Sequence, residues 1–463
     1  MRQHLRKYII KGMVSLSLIV LLISCKKSYF YPGINNDPSQ LQNPVPSNLL
    51  PGIIASSGYE WGGDASRFTA NFMQQVTGAA NQSVLANMYN VSADDVDNMW
   101  TAGLYGGIMN NANKLMILGD SLKQYHYSAI GRILMANALG LTTDMWGDVP
   151  YTKAFLGIAN TQPSYDTQQE IYVILDSLLT KAITDLSNAD GSPFQPGTDD
   201  IMFGGNLKMW VKFAHSLRAK FFLHLAKQDN SNYAKALGEI ATGFASGEAA
   251  GAPFVGGASA SAQAPWYQFN TQRGDIAFTG FIYDTLANSN DPRAAIYSDG
   301  QGNLGPVVNN PLDASNGIGS NVSYPGYSNS TSYFMTYEEL KFIQAECYLQ
   351  TGDNTNAAAA YNAGVAASLQ RMVGDISYLA NVQRTAATIT LADIIQQKYI
   401  ANFLNPEVWT DWRRTGYPVL QAPAGSVLGG QLPRSLLYPS SEINYNANAP
   451  KNTSMLRRVW WDK

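Results

Sequence analysis

The residues at positions 22–25, Leu-Ile-Ser-Cys, have the order of a lipobox, in which a cysteine thiol is acylated and becomes the new N-terminus. They follow a basic leader and an apolar run, 13–23, that suits a secretion signal and is too short to span a bilayer. We therefore expect a signal peptide over residues 1–24 and lipidation of Cys25, with two or three acyl chains as the anchor. The alternative is an ordinary secretion signal with a chance cysteine, which the presence of only 2 cysteines in the chain disfavours.

Side chains with catalytic potential are few beyond the leader. Of the histidines His126, His215 and His224, the last two lie nine residues apart, on opposite faces of one predicted helix, so they form no local metal site. The sequence contains no HExxH, CxxC, GxSxG or phosphate-loop motif. A glycosidase needs only two carboxylates that the fold brings together, but the acidic clusters at 338–339 and 94–97 are better explained as helix N-terminal acids. We expect no enzyme activity, no catalytic residue, no metal and no cofactor.

Aromatic residues beside polar ones offer binding rather than catalysis. The chain has 26 Tyr and 9 Trp but only 14% charged residues. Flat amphipathic rings stack on the C–H faces of sugars, while amides, carboxylates and guanidinium groups bind hydroxyls. The predicted ligand-binding residues are Trp61, Asp64, Trp266, Tyr267, Arg273 and Tyr283. A second group of candidates for the same face is Phe72, Gln74, Gln75, Asn81 and Gln82. For each ring, the alternative is burial in a local core.

The charge of the mature chain excludes polyanionic partners. Removal of the leader changes the formal net charge from −3 to about −7, which argues against nucleic acid and anionic lipid. With Cys25 acylated, Cys347 has no partner for a disulfide. The stability of a chain of this length must then come from packing, which it can readily supply.

The mature chain divides into a tether and one body. Residues 25–50 are rich in proline, which disfavours helix and central strand, so we predict an extended tether. Residues 51–463 are predicted to form a single helical domain. Within it, residues 247–332 are rich in Gly, Ala, Ser, Asn and Pro with scattered aromatic residues, which predicts a loop-rich insertion.

Helical periodicity dominates the rest of the body. Thr167 and Glu170 form a capping box before an apolar stripe that reaches residue 186. Helices over 207–227 and 232–244 are joined by a short turn, and a second pair is capped at Thr336 and Thr355 and spans about the length of a tetratricopeptide unit. The predicted fold class is all-α, with tetratricopeptide-like helix pairs in a right-handed superhelical scaffold.

Four strings, taken together, resemble one family. TYEELKFIQAECYLQTG at 336–352, YNAGVAAS at 361–368, QQKYIANFLNPEVWTDWRRTGYPVL at 396–420 and PRSLLYPSSEINYN at 433–446 are similar, in order, to the C-terminal half of SusD/RagB-like nutrient-binding outer-membrane lipoproteins. DMWGDVPYTKAF at 144–155 is similar to the N-terminal half of that family. The resemblance is closest to SusD-like subgroup 2 and covers nearly the whole mature chain.

The resemblance implies a function. Such proteins lie on the outer membrane, held by a lipid anchor, and deliver a glycan or peptide to a SusC-like TonB-dependent transporter. Cell-surface display is implied, although Lys26 and Lys27 stand where many surface lipoproteins carry acidic residues, and retention on the inner leaflet is the alternative. A different class of function is a tetratricopeptide-like adaptor lipoprotein that binds another protein. The Trp146–Tyr151 turn and the Arg413–Arg414 pair also have a structural explanation, as an aromatic plug and a fold-fixing ionic network.

Overall fold

The computed structural model describes residues 44–297, 327–451 and 454–463. Cys25, the predicted signal peptide and most of the predicted tether lie outside these ranges, as does part of the predicted insertion. The described chain is mostly helical, which confirms the predicted fold class. The α-helices are α1 (Pro46–Trp61), α2 (Asp64–Phe72), α3 (Asn81–Asn87), α4 (Asn110–Ser121), α5 (Tyr125–Trp146), α6 (Gln168–Ser187), α7 (Leu207–Leu225), α8 (Ser231–Ile240), α9 (Pro265–Arg273), α10 (Phe281–Asn288), α11 (Ala294–Tyr297), α12 (Tyr337–Gln350), α13 (Asn354–Met372), α14 (Leu379–Val382), α15 (Leu391–Ala401), α16 (Glu407–Thr415) and α17 (Ser440–Tyr445).

A π-helical segment, two 3₁₀ turns (Gly157–Ala159 and Ala260–Ala262) and four short strands complete the regular structure of the described ranges. The π-helical segment is Met99–Met109. The strands are β1 (Thr77–Gly78), β2 (Ala249–Ala252), β3 (Ile276–Ala277) and β4 (Ser332–Thr336). β1 pairs antiparallel with β3, and β2 pairs antiparallel with β4 with a register irregularity between Ala250 and Gly251. Both pairings connect the region of the predicted insertion to the helical body.

Three pairs of consecutive helices, α4 with α5, α7 with α8 and α12 with α13, pack against each other, because short connections return the chain onto the preceding helix. The capping box at the start of α6 is present, with Thr167 N donating to Glu170 Oε2 at 2.9 Å. Thr336 caps α12 by accepting from Glu339 N at 3.2 Å. Asp353, rather than the predicted Thr355, caps α13. The two predicted helix hairpins, α7 with α8 and α12 with α13, are confirmed.

The central helix α5 is buried along almost its whole length. A helix that is buried on all sides belongs in a core rather than at a surface. Gly140 permits its contact with α7, because an added Cβ would lie 2.5 Å from the ring of Phe221. At the C-terminal end of α5, Trp146 is fully buried and donates from Nε1 to Leu437 O at 2.7 Å. Gly147 follows with a φ of 82°, so the Trp146–Tyr151 string forms the predicted turn with an aromatic plug.

Helix α1 corrects the predicted boundary of the tether. We expected extended chain through residue 50 because of its prolines, but the helix begins at Pro46 and includes Pro51. Proline is tolerated in the first turn of a helix, where amide groups have no helical partner, whereas Pro51 sacrifices one helical hydrogen bond. Leu50, Ile53 and Ile54 on the same helix are fully buried. Tertiary packing of this apolar face therefore outweighs the local preference of the prolines.

The predicted loop-rich insertion is also more ordered than expected. Within its described part, α9, α10 and α11 are helical. Each has nine residues or fewer, which is too short for a helical period to stand out among glycines and serines. Trp266 and Tyr267 of α9 are 1% and 2% exposed. These rings therefore belong to the same hydrophobic core as the helical body.

Charged side chains occupy the centre of the helical body, where α5, α7, α12, α15 and α16 meet. His224 Nε2 lies 2.8 Å from Glu407 Oε1, and Arg414 makes two bonds of 2.8 and 2.9 Å to Glu346. We call this set the buried charge network: Asp144, Lys220, His224, Glu339, Glu346, Lys398, Glu407, Asp411 and Arg414. It confirms the predicted fold-fixing role of Arg414.

Candidate functional site

One face of α2 carries a stripe of side chains suited to ligand binding. Asp64, Arg67, Phe68 and Asn71 recur at three- and four-residue steps, so they lie on the same side of the helix. All four line one surface recess with an empty volume of about 510 Å³. The buried residues of α2, among them Ala65, Thr69 and Phe72, lie between these positions in the sequence and pack inward. The amphipathic pattern of α2 thus presents polar and aromatic groups outward at the recess.

The remaining walls of the recess come from three other segments. α3 contributes Gln82 and Ser83, the following segment contributes Asn90 and Asp95, and α9 contributes Phe269. Gln82, Asn90 and Asp95 are exposed, which makes their hydrogen-bonding groups available to a ligand. We call this site the polar recess, and its lining is Asp64, Arg67, Phe68, Asn71, Gln82, Ser83, Leu85, Ala86, Asn90, Val91, Asp95 and Phe269.

Arg67 is held in place by two partners in the polar recess. Its Nη2 donates to Asp64 Oδ1 one helical turn earlier, and its guanidinium carbon lies 4.6 Å from the centroid of the Phe269 ring. A guanidinium group over an aromatic face adds a cation–π attraction to the ion pair. The Arg67 side chain is still 23% exposed. It can therefore donate further hydrogen bonds from a fixed position, as a planar fork.

Two buried polar atoms in this region have no partner among the described residues. Asn71 donates from Nδ2 to Arg67 O at 2.8 Å, but its Oδ1 accepts nothing. Glu60, in α1, has an unpaired Oε2, and burial together with the nearby Asp64 raises its pKa to about 8 against the opposing effect of Arg67. An unsatisfied buried acceptor is costly. Asn71, which lines the recess, therefore has an acceptor that no described residue satisfies.

The groups of the polar recess are those that bind uncharged polyhydroxylated ligands. Phe68 and Phe269 offer apolar ring surface, while Asp64, Arg67 and Asn71 offer both acceptors and donors. Asp64 and Arg67 neutralise each other, and Asp95 leaves one uncompensated carboxylate in the lining, so the recess disfavours an anionic ligand. Among the described residues, no group of three or more histidine, cysteine or acidic side chains is placed to hold a metal ion.

The structure places the predicted ligand-binding residues in several environments. Asp64 lines the polar recess. Trp61 and Trp266 line a different recess, which shares no residue with the polar recess. Trp61 is 6% exposed, with its ring 5.1 Å from that of Phe334, and Trp266 donates from Nε1 to Ser66 Oγ at 2.7 Å. Both indole rings therefore line a recess and also pack within the hydrophobic core.

The other three predicted residues are not brought to the polar recess. Tyr267 is buried, and burial raises its pKa. Arg273 is exposed at the end of α9 and lies 3.4 Å from Asp275. Tyr283 is half-buried in α10, with its ring edge against Phe278. The proposed contact of these residues with a ligand therefore stays a prediction.

The second predicted group is mostly structural. Phe72 is fully buried. Gln75 is also fully buried, donates to Tyr399 O at 2.9 Å and accepts from Leu404 N at 2.7 Å. Gln74 and Asn81 bond to Gln421 O and Asp275 Oδ1. Gln82 is the member that reaches the polar recess.

Sequence reasoning missed Arg67, Phe68, Asn71 and Phe269 as site residues. The spacing of Asp64, Arg67, Phe68 and Asn71 is a stripe on one helix face, and that signal could have identified the first three. Phe269 meets them only through the pairing of β1 with β3 and the packing of α9, over about 200 residues of chain. No local pattern could have shown that contact.

The fold and the recess together define a class of protein: a scaffold of stacked helix pairs with a recess of ligand size on its surface. The chain belongs to the SusD-like_2 family, described as starch-binding and associating with the outer membrane, whose model matches residues 36–439. No curated protein matches the sequence significantly. In the described residues, no helix combines the length and the apolar content that crossing a bilayer requires.

Solved structures share this fold. A SusD/RagB family protein from Bacteroides thetaiotaomicron VPI-5482 aligns with a TM-score of 0.71 at 21% identity, over 91% of this chain and 99% of the other. A chitin-binding SusD homolog from Flavobacterium johnsoniae aligns with a TM-score of 0.70 at 20% identity, over 90% and 97%. A SusD homolog from Bacteroides uniformis ATCC 8492 aligns with a TM-score of 0.72 at 21% identity, over 90% and 99%. The SusD/RagB-like identity predicted from the sequence is thereby confirmed.

Proposed function

We propose that this protein is a lipid-anchored outer-membrane receptor that captures an oligosaccharide in the polar recess without cleaving it. It then delivers the ligand to a TonB-dependent transporter. The observation that carries the proposal is the combination, on one wall, of a fixed guanidinium group, a neighbouring carboxylate and an unpaired buried amide oxygen, facing the Phe269 ring. The family description, which names starch binding and association with the outer membrane, supports the same conclusion.

The geometry favours a sugar over an ionic ligand. A pyranose ring presents a C–H face to aromatic rings and hydroxyls to the polar groups around it. Asp64, Arg67 and Asn71 provide acceptors and donors within two turns of one helix, a span of about 10 Å that suits hydroxyls on adjacent sugar units. The site is open to solvent, so we expect dissociation constants between micromolar and millimolar, or about −8 to −4 kcal/mol. Weak binding permits release to a transporter.

The anchor and the partner complete the proposal. Acylation of Cys25 would hold the receptor at the membrane surface, and a stable contact with a transporter would keep the local ligand concentration high. Cell-surface display and the SusC-like partner remain parts of the proposal that the family resemblance implies. Mass spectrometry of the N-terminal peptide should show an acylated Cys25, and extraction with detergent should co-purify a large outer-membrane protein. An unmodified Cys25 in the native protein would contradict the proposed lipid anchor.

Calorimetric titration tests the polar recess directly. We expect the purified protein to bind starch or chitin oligosaccharides and the Arg67→Ala variant to bind them at least tenfold more weakly, because it loses donors fixed at the site. Arg218→Ala is the matched control, since Arg218 also pairs with carboxylates, Asp176 and Glu239, and lies 5.5 Å from an aromatic ring, that of Phe222, outside the recess. Equal losses in both variants, or cleavage of the sugar by the isolated protein, would contradict the proposal.

A further inference from the structure

A second recess is separate from the polar recess and shares no lining residue with it. Trp61, Pro265, Trp266, Tyr333, Asn402 and Phe403 are among the residues that line it, and we call it the tryptophan recess. Its empty volume is about 660 Å³. Gly62 permits the close approach of its walls, because an added Cβ would lie 2.5 Å from Ser332 Oγ.

Asn402 is the polar group that this recess leaves unsatisfied. The residue is 4% exposed, and its Nδ2 has no hydrogen-bond partner in the described part of the chain. Its backbone is fixed, because Gln75 donates to Asn402 O and binds the amide of Leu404. Leu404 adopts a φ of 61°, which is unusual for a residue with a side chain. The structure therefore holds a buried, unused amide donor at the wall of a cavity, which is costly unless a ligand or water supplies an acceptor.

The other walls of the tryptophan recess offer apolar surface and no free charge. Arg371 makes two bonds to Glu338, of 2.6 and 2.8 Å, and its guanidinium carbon lies 4.8 Å from the centroid of the Tyr333 ring. Arg371 and Glu338 neutralise each other, so neither offers a free charge to which a charged ligand could bind. Trp61 and Phe403 are apolar neighbours of Asn402 in the lining. A fitting group is neutral, with a carbonyl oxygen for Asn402 and a small apolar part for the rings.

An extended peptide fits this recess poorly, although it also carries carbonyl groups. Strand addition to β4 would need free backbone groups on that strand. Tyr333 O already accepts from Asn405 Nδ2 at 3.0 Å, and Phe334 O accepts from Lys220 Nζ at 3.3 Å. Asn405 and Lys220 therefore already donate hydrogen bonds to carbonyl groups with which an added peptide strand would pair. The acetamido group of an N-acetylated sugar has the required carbonyl and methyl without needing a strand edge.

We propose that the tryptophan recess is a second carbohydrate subsite, which selects N-acetylated amino sugars through a hydrogen bond from Asn402 Nδ2 to the acetamido carbonyl. The acetamido methyl group packs against Trp61 and Phe403. The inference rests on the proposed binding of sugars, but it concerns a separate site and names its ligand class. It predicts that sugars without the acetamido group bind more weakly at this recess than those with it.

Three matched probes test the inference: chitotriose with its acetyl groups, the same trisaccharide without them, and maltotriose. We expect the purified protein to bind the acetylated trisaccharide about tenfold more tightly than the other two, because only it supplies both the acceptor and the methyl group. In saturation-transfer NMR, the acetyl methyl protons should receive the strongest saturation. A protein that binds all three equally would overturn the inference and leave the polar recess unaffected.

Variants locate the selectivity. Asn402→Leu has nearly the same shape and removes an unsatisfied donor, so it should keep or raise the melting temperature while abolishing the preference for acetylated sugar. Arg67→Ala, in the polar recess, should weaken the binding of all three sugars and keep the preference for the acetylated one. Loss of the preference in Arg67→Ala but not in Asn402→Leu would place the selectivity in the polar recess and refute the second subsite. A melting temperature that falls in Asn402→Leu, with the preference retained, would show a purely structural role.

Discussion

The buried charge network and the polar recess use the same kinds of side chain for different ends. Each combines carboxylates, cations and aromatic rings near a helix. In the network, Arg414 is 2% exposed and bonded to both Glu346 and Asp411. In the recess, Arg67 has one carboxylate partner and is 23% exposed, and the neighbouring Asn71 has an unused acceptor. The network is withdrawn from water and pairs most of its charges within the fold, although Glu339 and Arg414 Nε keep atoms without a hydrogen bond among the described residues. In the recess, Arg67 remains partly exposed to solvent.

This difference shows that residue type does not separate a structural ion pair from a binding residue. What differs between Arg414 and Arg67 is the exposure of the side chain to solvent, 2% against 23%. Charges fully withdrawn from water need partners with good geometry, and removal of one partner leaves the other uncompensated. When the ion pair of a partly exposed arginine is removed, the protein loses little stability, because solvent screens the charge that remains. Substitutions in the network should therefore act on unfolding, and substitutions in the recess should act on affinity.

The largest effect is expected for Arg414→Met. It leaves the buried carboxylates of Glu346 and Asp411 without their shared partner, so the free energy of unfolding should fall by about 3–5 kcal/mol. Denaturant titration measures this. The double variant Arg414→Met with Glu346→Leu should recover part of the loss, because it removes one uncompensated charge. A loss below about 1 kcal/mol would show that the network does not depend on this pair.

The second prediction concerns pH and His224. Burial alone would lower the pKa of His224, but the carboxylates of Glu407 and Asp144 raise it to about 9. Above about pH 6.5 the imidazole of the unfolded state releases its proton, whereas the folded state retains it. The free energy of unfolding should therefore fall as pH rises from about 6.5 to about 9. The total loss should be up to about 3 kcal/mol.

The His224→Gln variant provides the control for this slope. We expect its free energy of unfolding, measured by denaturant titration at several pH values, to be lower at pH 6 and flatter between pH 6.5 and 9. An equal slope in both proteins would show that other groups titrate in this window. Lys220 and Lys398 lie in the same network, so both proteins must be compared over the same range.

The third prediction concerns Glu60, which lies near the recess and is half-buried, with its Oε2 atom fully buried. Its pKa of about 8 means that the folded state holds a proton that the unfolded state has lost above about pH 4.5. Stability should therefore fall as pH rises from about 4.5 to about 8. Glu60→Gln should be more stable than the native protein at pH 8 by roughly 1–3 kcal/mol and similar to it at pH 4.5. A difference that does not depend on pH would show an effect of shape alone.

The comparison also explains what the sequence could predict. Long helices with caps, such as α6 and α12, follow from local spacing, and the observed caps at Thr167 and Thr336 agree with the prediction. The start of α1 could not be found in this way, because tertiary burial of Leu50 and Ile54 overrides its prolines. The short helices of the insertion, α9 and α10, likewise depend on contacts distant in sequence.

The candidate site was only partly predictable for the same reason. The helix face of Asp64, Arg67 and Asn71 was visible in the spacing, although only Asp64 was chosen. Tryptophans were favoured because they suit sugars, yet Trp61 and Trp266 proved to be nearly buried. Large aromatic rings are common both in cores and in binding sites. The residue type alone therefore cannot show whether a tryptophan packs in the core or contacts a ligand. The contact of Phe269 with Arg67 exists only in the fold.

The smallest predicted effect sharpens the description of the recess. Arg67→Lys keeps a positive charge beside Asp64 but loses the planar group that stacks on Phe269. We expect affinity for an oligosaccharide to fall three- to fivefold, or about 0.5–1 kcal/mol, with the melting temperature nearly unchanged. Calorimetric titration beside Arg67→Ala measures both steps. If the lysine variant binds as tightly as the native protein, a point charge is sufficient and the fixed geometry of Arg67 has no part in recognition. If it binds as weakly as the alanine variant, the planar fork supplies the whole contribution of this residue, and the orientation imposed by Phe269 becomes the feature that separates the polar recess from the network.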